Sequence, residues 1–85
     1  MASYKLLIKR SAAKELERLP PKDRKRVAAK MAALSTNPRP PGGEKLSGQE
    51  KYRIRQGDYR VLYKIDDGTQ TVTIVAVGHR KDAYR

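Results

Sequence analysis

A proline- and glycine-rich segment divides the chain into two halves with different periodicities, and it constrains the fold more than any other feature. The segment reads STNPRPPGGEKLSGQE, residues 35–50, and shows neither helical nor strand periodicity. Before it, apolar residues recur mostly at helical spacing, whereas after it they alternate. We therefore expect a loop at 35–50 that joins a helical half to a sheet, so that helices pack against strands.

The first half predicts one strand followed by a helical hairpin. Apolar residues alternate over 4–9, as in an opening strand. Ser11 is the expected N-cap of a first helix, which stops at Pro20. Pro21 can open a second helix, because its missing N–H needs no partner there. The apolar seam of that second helix consists of Val27, Met31 and Leu34.

The second half predicts three strands, at 51–55, 59–65 and 71–77, with a hairpin turn at 66–69. Residues 71–77 are apolar on both faces, which favours a central strand. The predicted order is β-α-α-β-β-β. We expect one small α+β domain over residues 1–85, an antiparallel-rich four-stranded sheet with the helical hairpin packed on one face.

Composition narrows the kinds of function. The chain has no cysteine and one histidine, which excludes disulfides and thiolate metal sites, and we expect no metal or cofactor. It has 20 Lys and Arg against 9 Asp and Glu, a formal net charge of +11 that favours polyanionic partners. The apolar run at 6–8 is too short for a signal peptide or a membrane span, so we expect a cytoplasmic protein without membrane association.

The strand pattern also predicts a cationic surface. Core residues must meet across a hairpin, so Ile54 is expected to pair with Val61, which places Arg55 opposite Arg60. Arg53 then shares their face, away from the core. Like charges across a sheet destabilise it unless an anion lies between them, and the guanidinium fork suits phosphate. The alternative interpretation is an ordinary solvated surface that discourages edge aggregation.

Several short motifs, in their order and spacing, resemble the RelE family of toxins within the RelE/ParE superfamily. They are Lys-Leu-x-Gly from Lys45, Tyr-Arg-Ile-Arg from Tyr52, Tyr-Arg-Val-Leu-Tyr from Tyr59, and the terminal Gly-His-Arg…Tyr from Gly78. The resemblance implies a RelE-like fold and a toxin of a type II toxin–antitoxin system. It implies an enzyme that cleaves mRNA codons in the A site of the 30S ribosome by 2′-hydroxyl attack, without metal. Its partners would be the ribosome, the message and a cognate acidic antitoxin, with which it forms a hetero-oligomer.

The resemblance also implies which residues act. The expected catalytic residues are Arg53, Arg55, Arg60, His79, Arg80 and Tyr84. Arg60 and Arg80 would bind the scissile phosphate, and Tyr84 would stack on a base or orient the 2′-hydroxyl. Arginine is a poor general base, whereas an unperturbed histidine titrates at a pKa of about 6.5, so His79 is expected as general acid or base. The residues expected to contact RNA besides these are Lys51, Lys81 and Arg85.

Three other functions stay open at this point. One is a ParE-like toxin that binds DNA gyrase and cuts nothing, which the joint presence of Arg60, Arg80 and Tyr84 disfavours. Another is a non-enzymatic nucleic-acid-binding module, which the net charge would serve equally well. The third is a toxin that has lost its activity.

Overall fold

Five strands and two helices make up the structure, a computed structural model that describes residues 3–46 and 51–79. In chain order the elements are β1 (Lys5–Ile8), α1 (Arg10–Glu17), α2 (Pro21–Ala33), β2 (Glu44–Lys45), β3 (Lys51–Gln56), β4 (Tyr59–Asp66) and β5 (Thr71–His79). The predicted α+β class and the order of the predicted elements are confirmed. The strand count differs, because β2 lies inside the predicted loop. Neither helix is long and apolar enough to cross a membrane.

The helices begin where backbone geometry allows, and one predicted cap is wrong. Lys9, not Ser11, is the N-cap of α1, and it makes no side-chain capping bond. The chain turns directly from β1 into the helix, so that the Ala13 N–H already donates to the Lys9 carbonyl at 2.9 Å. Pro21 opens α2 as predicted, and the Arg24 N–H donates to the Pro20 carbonyl at 2.8 Å.

The sheet has the order β1-β5-β4-β3-β2, and its only parallel pair within the described residues is β1 with β5. The prediction that β5 is an inner strand is confirmed, since it lies between β1 and β4. Both helices cover one face of the sheet. The buried cluster on that face contains Ala12, Val27, Met31, Leu34, Ile54, Val61, Tyr63, Val72, Ile74 and Val77.

The β3–β4 hairpin has the predicted register. Ile54 pairs with Val61, and Arg55 pairs with Arg60. The tyrosines at positions 52 and 63 pair on the core side and stack with their ring centroids 5.7 Å apart. Since successive side chains point to opposite faces, the arginines of this hairpin lie on the face away from the helices.

A β-bulge interrupts the pairing of β4 with β5. Leu62 pairs with Ala76, but Tyr63 pairs with Ile74, so Val75 is the extra residue of β5. The bulge changes which residues of β5 face the core. Ile74 is buried before it and Val77 after it, three positions apart instead of two or four.

Polar contacts attach the long connection between α2 and β2 to the sheet. The Arg39 guanidinium donates to both carboxylate oxygens of Asp67, at 3.2 and 2.9 Å, and lies over the Tyr52 ring. The buried Tyr63 hydroxyl donates to the Pro38 carbonyl at 2.9 Å. These contacts fix the path of the chain as it approaches β2.

Candidate functional site

Three arginines of β3 and β4 form a cluster on the sheet face opposite the helices, and we call Arg53, Arg55 and Arg60 the cationic face. Arg55 and Arg60 are direct cross-strand partners, and Arg53 lies two residues along β3 from Arg55. Leu62 pairs with Arg53 and gives this face an apolar floor that is only 6% exposed. The predicted clustering of the three arginines is confirmed. Three guanidinium groups on one surface are suited to binding anionic oxygens.

A carboxylate of the same chain lies in the cationic face. Glu44 pairs with Arg53 across β2 and β3, and the Arg53 guanidinium donates to its carboxylate at 2.6 Å. This hydrogen bond, together with attraction to Arg53 and then to Arg55 and Arg60, lowers the pKa of Glu44 below its ordinary value. Glu44 is therefore ionised at neutral pH.

Sequence reasoning missed Glu44 because it lies in the segment predicted to be a loop. Only the pairing of β2 with β3 brings it beside Arg53. The signal in the sequence was weak: an acidic residue directly after Gly42 and Gly43 and directly before the Lys-Leu-x-Gly motif.

His79 lies on the other side of the sheet. It pairs with Tyr59, and the two rings meet edge to face with centroids 5.4 Å apart. Tyr59 belongs to the helix side, since its hydroxyl donates to Asp23 of α2 at 3.5 Å. The structure therefore does not bring His79 to the cationic face, and its role as general acid or base stays a prediction.

His79 instead borders an open cavity of about 460 Å³ between α1 and the end of the sheet. Arg18, Leu19 and Tyr59 also line it. One wall is fixed by Glu15, whose carboxylate accepts a hydrogen bond from the Val77 N–H at 2.9 Å. The cavity is thus separated from the cationic face by the sheet itself.

The remaining predicted residues divide into two groups. Lys51 begins β3 and lies on the same face of the sheet as Arg53. It therefore extends the cationic face away from the β3–β4 turn, and it pairs with Lys64. The other four residues, Arg80, Lys81, Tyr84 and Arg85, lie outside the described residues, and their roles stay predictions. Within 3–46 and 51–79, no group of three His, Cys, Asp or Glu residues could hold a metal ion.

Comparison with known proteins places this chain and its fold in a family. A family model described as the ParE toxin of a type II toxin–antitoxin system, parDE, matches residues 6–84. Toxin RelE of Mycobacterium tuberculosis is 37% identical to this chain over 88 residues, which covers 96% of this chain and 87% of that protein.

Solved structures agree with the sequence match. The toxin–antitoxin complex RelBE2 from Mycobacterium tuberculosis contains a chain that matches with a TM-score of 0.83 and 34% identity, over 94% of both chains. The archaeal RelE–RelB complex from Pyrococcus horikoshii OT3 gives a TM-score of 0.83 and 29% identity, over 95% of this chain and 99% of that one. The likeness therefore extends over nearly the whole chain.

Proposed function

The chain belongs to the ParE toxin family of type II toxin–antitoxin systems and is a RelE-type toxin, and we propose that it is a ribosome-dependent mRNA endonuclease. The observation that supports this proposal is the cationic face. Three arginines share a sheet surface that neither described helix covers, at a hairpin whose register sets two of them directly opposite each other.

The proposed reaction needs little from the protein except geometry and positive charge. The 2′-hydroxyl of the message loses its proton as it attacks the adjacent phosphorus, the 5′-oxygen leaves and takes up a proton, and the products are a 2′,3′-cyclic phosphate and a 5′-hydroxyl end. Negative charge accumulates on the phosphate oxygens in the transition state. Fixed guanidinium groups stabilise that charge, and in-line placement of the attacking oxygen lowers the entropic part of the barrier.

Roles within the proposed site follow from position and charge. Arg60 is the proposed ligand of the scissile phosphate, because it lies on the inner strand β4 between Arg55 and the end of β5. Arg53 and Arg55 bind the flanking phosphate oxygens. We further propose that Arg80 joins Arg60 at the phosphate and that Tyr84 stacks on a base or orients the 2′-hydroxyl.

An antitoxin partner belongs to the same proposal. The similar chains from Mycobacterium tuberculosis and Pyrococcus horikoshii OT3 were solved in toxin–antitoxin complexes. The formal net charge of +11 favours an antitoxin with an acidic toxin-binding segment. The proposed ribosomal A site offers a second polyanionic partner, in which the message is already held for attack.

The proposal is tested by mapping the 5′ ends of translated messages after the protein is induced. We expect new 5′ ends within codons, and we expect Arg60→Ala to reduce cleavage on isolated ribosomes by about a hundredfold or more. Arg10→Ala is the matched control, because it removes one exposed arginine from the start of α1, and it should retain cleavage. Equal cleavage by the Arg60 variant and the parent protein would contradict the proposed site.

The match to a family model of ParE toxins over residues 6–84 favours a second candidate function. A ParE-like protein would bind DNA gyrase and leave messages intact. The same induction experiment separates the two functions. DNA breaks together with intact messages would favour the gyrase-binding function over the nuclease.

A further inference from the structure

We propose that Glu44 is an internal competitor of RNA: its carboxylate occupies the phosphate-binding position at Arg53 and must leave before a backbone phosphate can bind there. The Glu44 carboxylate lies 2.6 Å from the Arg53 guanidinium. An RNA phosphate bound bidentately to the edge of the guanidinium that carries Nη2 would need the donor that this carboxylate oxygen holds. The proposal rests on the proposed RNA-binding role of the cationic face, but not on cleavage.

The ion pair is accessible from solvent on the side where RNA would approach. The Glu44 side chain is 61% exposed, whereas Arg53 is 22% exposed. The carboxylate is therefore the more exposed member of the pair. An incoming phosphate meets the carboxylate first, and the two negative charges repel each other.

The segment that carries Glu44 can separate from β3. β2 has only two residues, both exposed, and its attachment to β3 consists of two residue pairs and a hydrogen bond from the next N–H, that of Leu46, to the Lys51 carbonyl at 2.8 Å. Gly42, two residues earlier, has a φ of +89°, and a Cβ there would meet no atom within 4 Å. A short edge strand after an uncrowded glycine can leave the sheet without disturbing the core, because none of its residues belongs to the buried cluster.

Competition of this kind selects for polyanions. A single free phosphate must displace Glu44 for one contact with Arg53. An RNA strand engages Arg55 and Arg60 at the same time, and these contacts offset the loss of the internal pair. Displacing Glu44 costs the same free energy for either ligand, but the RNA has further contacts that make up the loss, whereas a single phosphate does not.

The test measures binding of a single-stranded RNA of about a dozen nucleotides whose 2′-oxygens are methylated, so that no cleavage occurs. E44Q keeps the shape of the side chain and removes its charge. We expect E44Q to bind this RNA about two- to fivefold more tightly than the parent protein, as removal of one exposed ion pair predicts. The control E17Q raises the net charge equally, from an exposed position on α1, and should bind nearly as the parent does.

The salt dependence of RNA binding distinguishes direct competition by Glu44 from an effect of the substitution on the structure. In the parent protein the phosphate at Arg53 displaces the Glu44 carboxylate, and the cation that this freed carboxylate attracts offsets the counterion that the phosphate releases. In E44Q the same contact displaces counterions, and the slope of log affinity against log salt should become steeper by about 0.7. E17Q should keep the parent slope. In an R53A background the gain from E44Q should be much smaller, since only the weaker attraction of Glu44 to Arg55 and Arg60 remains.

Three results would overturn the proposal: equal binding by E44Q and E17Q, weaker binding by E44Q, or a gain of undiminished size without Arg53. Far-ultraviolet circular dichroism and thermal unfolding establish that each variant is folded. Failure of the proposed function gives a different result. In that case the parent protein binds the RNA no better than R53A/R55A/R60A does.

Discussion

At the scale of single residues, the direct pairing of Arg55 with Arg60 is the feature with the clearest energetic cost. Two like charges opposite each other on neighbouring strands destabilise the sheet by a few tenths of a kcal/mol, up to about 1 kcal/mol. Glu44 offsets part of this cost, since its carboxylate attracts both guanidiniums as well as that of Arg53. A phosphate bound between the two guanidiniums would reduce the same repulsion further.

His79 provides the test of proton transfer at the residue scale. Because it pairs with Tyr59 on the helix side of the sheet, we expect His79→Gln to keep the cleavage rate within about threefold of the parent value. The pH profile of cleavage on ribosomes should also keep its shape. If the profile instead lost an ionisation in the range where histidine titrates, His79 would reach the message and act as the acid or base.

At the scale of elements, Tyr63 joins the sheet to the connection that precedes β2. Its ring is fully buried, and its hydroxyl donates to the Pro38 carbonyl at 2.9 Å. Burial raises the pKa of Tyr63 to about 12. The unfolded phenol ionises at a pKa near 10, so the stability that comes from burying the neutral phenol is complete below pH ~10 and is lost as the pH rises toward ~12.

Tyr63→Phe tests this connection. The variant leaves the Pro38 carbonyl without its donor, and we expect the free energy of unfolding at pH 7 to fall by about 1–2 kcal/mol. Above pH ~10 the parent protein loses stability through Tyr63 and the variant does not, so the difference between them should narrow. Urea unfolding at pH 7, 10 and 11 measures it, with Tyr52→Phe as the control. Parallel pH curves for parent and variant would contradict the assignment.

The element scale also shows what could be predicted from the sequence and what could not. The β3–β4 register followed from parity, because Ile54 and Val61 are apolar while Arg55 and Arg60 are charged, so a one-residue slip would bury arginine. The bulge at Val75 had no such signal. The segment 71–77 is apolar on both faces, and a strand without alternation does not reveal an extra residue.

Two further features, β2 and the start of α1, were not predicted correctly because each depends on a contact with another segment. The pairing of β2 depends on β3, a contact between segments, and residues 44–45 have too short a pattern to indicate a strand by themselves. The position of Glu44 beside Arg53 could therefore not be predicted either. The Ser11 cap was wrong because the tertiary turn out of β1 set the start of α1, overriding the capping preference of the side chain.

At the scale of the whole molecule, positive charge is spread over two surfaces on opposite sides of the sheet. Residues 1–35, which include both helices, hold ten basic and three acidic side chains. The cationic face lies on the other side. A polyanion approaching from either direction therefore meets an attractive field, which should accelerate association with the proposed acidic antitoxin and with ribosomal RNA.

Two triple variants test whether this field acts as a whole. R53A/R55A/R60A neutralises the cationic face, and K22A/K25A/R26A neutralises exposed positions on α2, so each removes three positive charges and lowers the formal net charge from +11 to +8. Because steering depends on the summed field, both should slow association with the antitoxin by a similar factor, about two- to fivefold at low salt. Stopped-flow mixing at several salt concentrations measures the rates, and the effect should disappear as salt screens the charges.

Dissociation should quicken only in a variant whose altered surface contacts the antitoxin. If one variant slowed association and the other left it unchanged at low salt, the antitoxin would be guided by one local patch, not by the field of the whole protein.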